Sequence, residues 1–477
     1  MINIRSRDSS EKSISKSNII NTAAVIMAIL LIFSSLLTVR VLKNGEIAGT
    51  LLLLGSYLVL LISEVIPVSL SSLLVVGLMP VTGITKDLNT AISGFSNQVV
   101  LFILASFGIA QALIEVPVSK RLLRRIIRSS GDDGRKVVLA FMLCTAAVSS
   151  IISNVPTCAV FLSIAVEFLN MFEGKEKSNN GRILMIAIPI ASMIGGMITP
   201  AGSSVNILAL SILEEHTGQR ISFVQWMCIG APAAFILVIA AWFLLVHIYH
   251  PTQIKMKDTE TFWEKLNIPV SIEEKEKKVI VILLVSFILM MLSSWITSIS
   301  VMVVALFACT FLCLPRIGVL DIRKLFKDIN WDSIFLVGTV LSFSVIMNNN
   351  GVADVLANHF PNIGNVPVLV YLLCIAMLMF ASLVIIPVAP SLTALILPVI
   401  LRNAEINGVS VLLVTIVSTA CIVNCYLFPL DTVCLLSYGH GYYKMLDMTK
   451  ITFPLQISAV VIITLISYTG GIIFGWK

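Results

Sequence analysis

Gly195-Gly196-Met197-Ile198-Thr199-Pro200-Ala201-Gly202-Ser203-Ser204 cuts an apolar run that otherwise extends from about residue 183 to 214. Two adjacent glycines, a proline and a third glycine stop a helix, and hydroxyl residues such as Ser203 and Ser204 restart one. Irregular backbone in hydrocarbon leaves N–H and C=O groups without water, so it persists only where protein, trapped water or a ligand satisfies them. The restarted half-helix turns its N-terminus to the break, which favours an anion, and carbonyls freed there suit a small cation. For a single break, a proline kink between packed spans explains the pattern equally well. A second break, Phe428-Pro429-Leu430-Asp431-Thr432, follows about 230 residues later. Two interruptions at matching positions in two halves favour a buried polar site.

Around these breaks the chain reads as membrane throughout. Of 477 residues 57% are hydrophobic and only 12% charged, with a mean hydropathy of +0.99, and soluble domains carry about twice that share of charge. The expected fold is an all-α polytopic membrane protein with about eleven transmembrane helices plus two re-entrant hairpins, arranged as an inverted repeat with two interrupted helices. Crossings are expected near residues 19–39, 46–64, 67–84, 97–118, 183–214, 225–249, 278–295, 298–315, 331–348, 409–437 and 453–475, and hairpins near 137–172 and 366–402. The first span is too long for a signal-peptide core and lacks a small-residue cleavage pattern, so it is kept as a helix. No soluble domain is expected before or after the membrane region.

Charge supports this threading. With the N-terminus cytoplasmic, one side of the membrane receives 26 of the 32 Lys+Arg, the positive-inside bias expected of a multi-pass protein of the inner (plasma) membrane. Turning either hairpin into a full crossing would invert the later loops and spoil that bias. The basic run Ser119–Lys136 reads as a cytoplasmic face in contact with lipid headgroups, with no aromatic interleaving that would suggest nucleic acid. The nine cysteines lie in or beside apolar segments, and Cys421 and Cys425, one turn apart, read as small core residues rather than metal ligands. Neither a His-Glu-x-x-His helix nor a Gly-x-Ser-x-Gly turn is present, and the five histidines do not cluster in sequence, so an enzyme is not expected and no cofactor is called for.

The first hairpin places Ser149-Ser150-Ile151-Ile152-Ser153-Asn154-Val155-Pro156-Thr157 between apolar arms. Ser and Asn oxygens ligate hard cations, and the Asn amide and backbone N–H groups hold a carboxylate or sulfate. Local capping of the turn is an additional role that does not compete with either.

Ser153-Asn154-Val155-Pro156-Thr157 resembles the Ser-Asn-Thr hairpin tip of the divalent anion:sodium symporters, within the ion transporter superfamily. Gly195 to Asn206 is similar to that family's first break. Leu427 to Thr432, with the later Gly441-Tyr442-Tyr443-Lys444-Met445-Leu446-Asp447, resembles its second break and the segment that follows. The resemblance runs from about residue 45 onward. It implies a homodimer working as an elevator. A cytoplasmic tail (1–18) would precede scaffold helices 19–118, and a second scaffold set would span 278–348. A transport unit would comprise 137–249 and 366–477, with a cytoplasmic loop at 250–277. By position, Ser149, Ser153, Asn154 and a carbonyl at Gly196 would bind sodium as the coupling ion. Asn154, Val155, Thr157, Ser203 and Thr432 would face a small anionic substrate of the di- or tricarboxylate type.

Two departures stand out. The second tip falls at Val388-Ala389-Pro390, and Val384 stands where a partner for Ser149 is expected. None of these side chains offers an oxygen, although Ser391 and Thr393 would supply one if the turn is shifted. Asp431 occupies a break position that the family fills with a small neutral residue. A carboxylate there has three open uses: cation ligand, proton carrier, or partner of a cationic group on the substrate. A water-exposed carboxylate at the cytoplasmic mouth is the simpler alternative. Anion exchange without sodium, and ion antiport or oxyanion export on the same architecture, also remain open.

Overall fold

The computed structural model describes residues 4–42, 45–63, 65–128, 133–170, 172, 174–252, 271–296, 298–317, 319–359 and 366–476, so most of the expected loop 250–277 lies outside the described residues. Among them every regular element is helical. Seven helices are long and apolar enough to cross a bilayer, and the pair Gln98–Ile114 and Val118–Arg128, bent by 59°, makes an eighth if counted as one span. Four further helices, Val68–Thr82, Asn154–Leu169, Val301–Cys313 and Val411–Val423, are apolar but shorter. The chain is an all-α, multi-pass membrane protein.

Contacts divide the chain into two compact units. The first comprises residues 1–100, 330–361 and 394–402. In it, small residues let backbones approach, as is usual between membrane helices. Ser35 Oγ donates to Gly49 O at 2.8 Å, joining the first two helices. Helix Trp331–Asn349 seats the turn Ser93–Ser96, where Gly94 N donates to Ser342 Oγ at 3.1 Å. A Cβ on Gly94 would meet the backbone of Gly338, Leu341 and Ser342. Tyr57 stacks on Phe343 at 5.9 Å and shares a 2.8 Å hydrogen bond with Ser72.

The second unit comprises 101–329, 362–393 and 403–477. It contains a helical hairpin with arms Gly134–Ser149 and Asn154–Leu169. The next element is a helix broken between Gly174–Gly196 and Ser204–Thr217. A Cβ on Gly195 would lie 2.5 Å from Ala146 Cα, so the broken helix and the first arm touch backbone to backbone. Arm Val368–Ile385 leads to a turn at 386–388 and to helix Ala389–Ile406, whose residues 394–402 are counted in the first unit. Tyr371 Oη donates to Asn403 Oδ1 at 2.8 Å, tying the start of one arm to the end of the other. The second broken helix runs from Val411–Val423, through an irregular stretch at 424–431, to Thr432–Tyr438. Helix Met445–Phe474 closes the unit, its Gly470 and Gly471 meeting Ile229 and Leu413.

Candidate functional site

The first break is a hydrogen-bonded knot rather than an open loop. Gly196 ends one half-helix, Thr199 caps the short turn Pro200–Gly202, and Ser203 caps the next half-helix by accepting from Val205 N at 3.3 Å. Most carbonyls that the break frees find side-chain donors. Asn206 Nδ2 donates to Gly196 O at 2.8 Å and to Thr199 O at 2.9 Å, acting as a strap across the gap. Trp226 Nε1 donates to Met197 O at 3.0 Å, and Thr199 Oγ1 reaches the hairpin to donate to Ser150 O at 2.6 Å. These donors let irregular backbone survive in an apolar interior.

The tip of the first hairpin is locked to this knot. Ser149 Oγ donates to Ser192 O at 2.6 Å, and Ser192 Oγ donates to Asn154 O at 2.8 Å. With its carboxamide turned to give both ends partners, Asn154 Nδ2 donates to Gly202 O at 3.1 Å and to Ser149 Oγ at 3.0 Å. The carboxamide fills the space where Gly196 lacks a Cβ, since a Cβ there would lie 2.7 Å from Asn154 Cγ. Ser149, Asn154 and Gly196 therefore meet at one point, together with Ser192 and Gly202. Side-chain and main-chain oxygens of this kind suit a hard monovalent cation.

The remaining candidates take distinct places. Ser153 stands at the N-cap of the second arm with no side-chain capping bond, and Val155 follows in the first turn, half-buried. Thr157, 1% exposed, has a buried hydroxyl without a hydrogen-bond partner. Its neighbour Cys158 donates from Sγ to Val433 O at 3.5 Å, so this arm meets the second break beside Thr432, which is itself exposed. Asp431 is half-buried and caps Thr432–Tyr438 by accepting from Val433 N at 2.9 Å through Oδ2. At the second tip, Thr393 Oγ1 donates back to Ala389 O at 2.9 Å, whereas the Ser391 hydroxyl is buried with no partner. All these residues belong to the second unit. Cys425 donates to Gln456 Oε1 at 2.9 Å, so the Cys421–Cys425 turn packs as core.

Sequence reasoning missed Ser192, Asn206, Trp226 and Gly202 as parts of this knot. Ser192 carried a signal, a hydroxyl within one turn of Gly195-Gly196 on an otherwise apolar helix. Asn206 stood in the quoted motif without a role. Trp226 is distant in sequence and carried no signal.

Comparison with known proteins agrees with this architecture. The profile of the citrate transporter family (CitMHS) matches residues 58–421. A sodium-dependent dicarboxylate transporter of Staphylococcus saprophyticus is 26% identical over 434 residues, covering 85% of this chain and 83% of the relative. Its Staphylococcus aureus counterpart is 25% identical over 441 residues, covering 87% and 84%. Among solved structures, the YdaH transporter of Alcanivorax borkumensis superposes with a TM-score of 0.53 at 13% identity, covering 79% of this chain and 85% of that one. Neisseria gonorrhoeae MtrF, described with a class of antimetabolite efflux pumps, gives a TM-score of 0.54 at 11% identity, with 94% of each chain covered. At those identities the two structures speak to the fold alone.

Proposed function

The chain belongs to the citrate transporter family, and from that premise we propose that it is a secondary transporter that moves a small di- or tricarboxylate across the plasma membrane, driven by sodium. The observation that carries this reading is the junction of Ser149, Asn154, Ser192 and Gly196, a set of oxygens and amides held at a helix break in an apolar interior. In this reading oxygens of Ser149, Ser153, Asn154 and Gly196 hold the sodium ion. The bound cation then makes the site electrostatically favourable for a carboxylate seated at Asn154, Val155, Thr157, Ser203 and Thr432. The unpartnered Thr157 hydroxyl supports that seat, because a buried hydroxyl without a partner costs about 1–3 kcal/mol unless a ligand satisfies it. The sodium-dependent dicarboxylate transporters among the relatives support the choice of ion and substrate class.

The mechanism we infer is an elevator within a homodimer, with the N-terminus cytoplasmic. Segments 137–249 and 366–477 carry the site, and helices 19–118 and 278–348 stay fixed as scaffold. Loss of polar side chains at Val388-Ala389-Pro390 favours one alternative, exchange of anions without sodium. Uptake of labelled citrate and C4-dicarboxylates into proteoliposomes, with sodium, proton and counter-anion gradients imposed one at a time, tests the proposal. Sodium-driven accumulation of one of them is expected. Absence of uptake for every anion under every gradient would overturn the transport reading.

A further inference from the structure

The span Gln98–Ile114 ends in a bend of 59° that leads into the short helix Val118–Arg128. Ile114, the last residue of the span, is exposed and apolar, whereas Glu115 beside it is paired with Lys275 at 3.0 Å and Lys324 at 2.5 Å. The edge of the hydrocarbon therefore falls between these two residues. From Ile114 to Val118 the helical rise is at most about 6 Å. That keeps the short helix at headgroup depth, in a layer about 5–7 Å thick. At about 100° per residue the positions of this helix divide into two arcs. One arc buries Ser119, Leu123 and Ile127 as the helix packs on the arms of the first hairpin. The other carries all five cations, Lys120, Arg121, Arg124, Arg125 and Arg128. An amphipathic helix with a cationic face suits the membrane interface.

Arg121 is held by the protein itself. Its Nε lies 2.8 Å from Glu276 Oε1, and its Nη2 donates to Ser271 O at 2.7 Å. Among the described residues no carboxylate pairs with Lys120, Arg124, Arg125 or Arg128. At Arg124 the deficit is sharpest, because its Nε is buried and finds no acceptor. Lys120 and Arg128 stand one turn before and one turn after it, in the same row. A guanidinium N–H closed off from water and left without an acceptor calls for an anion. We propose that this row is a site for the phosphate of an anionic phospholipid, with Arg124 as the central ligand and Lys120 and Arg128 flanking it. A guanidinium donates in pairs to phosphate oxygens. The flanking cations favour a headgroup of net negative charge, such as phosphatidylglycerol, over phosphatidylcholine, whose own ammonium they repel. Headgroup depth brings a lipid phosphate within reach, which an acidic peptide in solution does not share. The Arg121–Glu276 pair ties the same arc to helix Glu274–Leu292 and so fixes the rotation of the row. Arm Gly134–Ser149 starts six residues beyond Arg128, so a lipid bound here anchors the point from which the first hairpin departs. The site rests on the membrane-embedded fold and not on the transport reading.

Native mass spectrometry of the purified full-length protein in detergent micelles provides the test. Phosphatidylglycerol or phosphatidylcholine is titrated into wild type, Arg124→Gln, Lys120→Gln and Lys86→Gln, the last removing an exposed cation far from this helix in sequence. Wild type is expected to bind phosphatidylglycerol at least about tenfold more tightly than phosphatidylcholine. Arg124→Gln is expected to lose that preference, and Lys120→Gln to weaken phosphatidylglycerol binding about fivefold. Lys86→Gln is expected to match wild type. Equal affinity of wild type for the two lipids, or equal phosphatidylglycerol binding in wild type and Arg124→Gln, would overturn the site. An equal loss in Lys86→Gln would show diffuse attraction to charge and would overturn it too. Inorganic phosphate in excess is expected to leave the lipid bound; its displacement would assign the row to a free anion and end the lipid proposal. Should Arg124→Gln not fold by size-exclusion chromatography, Lys120→Gln decides in its place, and unchanged binding there overturns the row. Neither sodium nor substrate is needed, so this outcome is separate from that of the uptake experiments.

Discussion

Replacing Gly196 by alanine is the sharpest single perturbation of the first tip. The added Cβ would lie 2.7 Å from Asn154 Cγ and would run into the carboxamide nitrogen, well inside van der Waals contact. Those are side-chain atoms, so the carboxamide must swing away rather than the backbone yield. Swinging it breaks the donations to Gly202 O at 3.1 Å and to Ser149 Oγ at 3.0 Å. At about 0.5–1.5 kcal/mol for each hydrogen bond, with a further desolvation cost for groups left buried and unpaired, the loss is about 2–4 kcal/mol. Gly196→Ala is therefore expected to lower the melting temperature by several degrees and to abolish sodium-dependent uptake. A double-mutant cycle isolates the cause, because contacting residues are not additive. With Asn154→Ala already in place the three atoms nearest to that alanine are removed, and its further cost in stability is expected to fall below about 0.5 kcal/mol. Equal destabilisation by Gly196→Ala in both backgrounds, or wild-type uptake by the single variant, would refute the reasoning.

Other outcomes follow from neighbouring contacts. Trp226→Phe keeps the packing but removes the donor to Met197 O, and thermal melting is expected to show a loss of about 1–2 kcal/mol. Gly195→Ala forces a Cβ against the Ala146 backbone, which cannot step aside as a side chain can, so poor expression of folded protein on size-exclusion chromatography is expected. Arg121→Ala leaves Glu276, whose side chain is 1% exposed, without its 2.8 Å partner. A cost of about 2–4 kcal/mol is expected, largely recovered when Glu276→Gln is added, as read by the same melts.

Much of the fold could be read from composition and from a few helix-breaking residues. Glycine and proline at 195–202 and proline at 429 interrupt helices for reasons of backbone geometry alone, and both interruptions occur where the sequence puts them. The arms of the first hairpin were equally legible, since the polar turn Ser149–Thr157 between apolar runs has few other uses. The chemistry of the site was less so. Freed carbonyls suggested open cation ligands, but Asn206, Trp226 and Thr199 occupy most of them, and such pairings depend on tertiary contacts that no local pattern encodes. The need for glycine at 196 is likewise a property of Asn154, forty-two positions away in the chain. Asp431 was visible as an anomaly, whereas its place as the cap of Thr432–Tyr438 became visible only in the fold.

Equilibrium binding of labelled citrate and succinate to purified protein, with and without sodium, tests the central claim most directly when wild type is set beside Asn154→Ala. Wild type is expected to bind at least one of the two anions, at least tenfold more tightly with sodium. Asn154→Ala is expected to lose that binding while remaining folded by size-exclusion chromatography. Sodium-dependent binding of equal strength in the two proteins would contradict the placement of the site at the first hairpin tip.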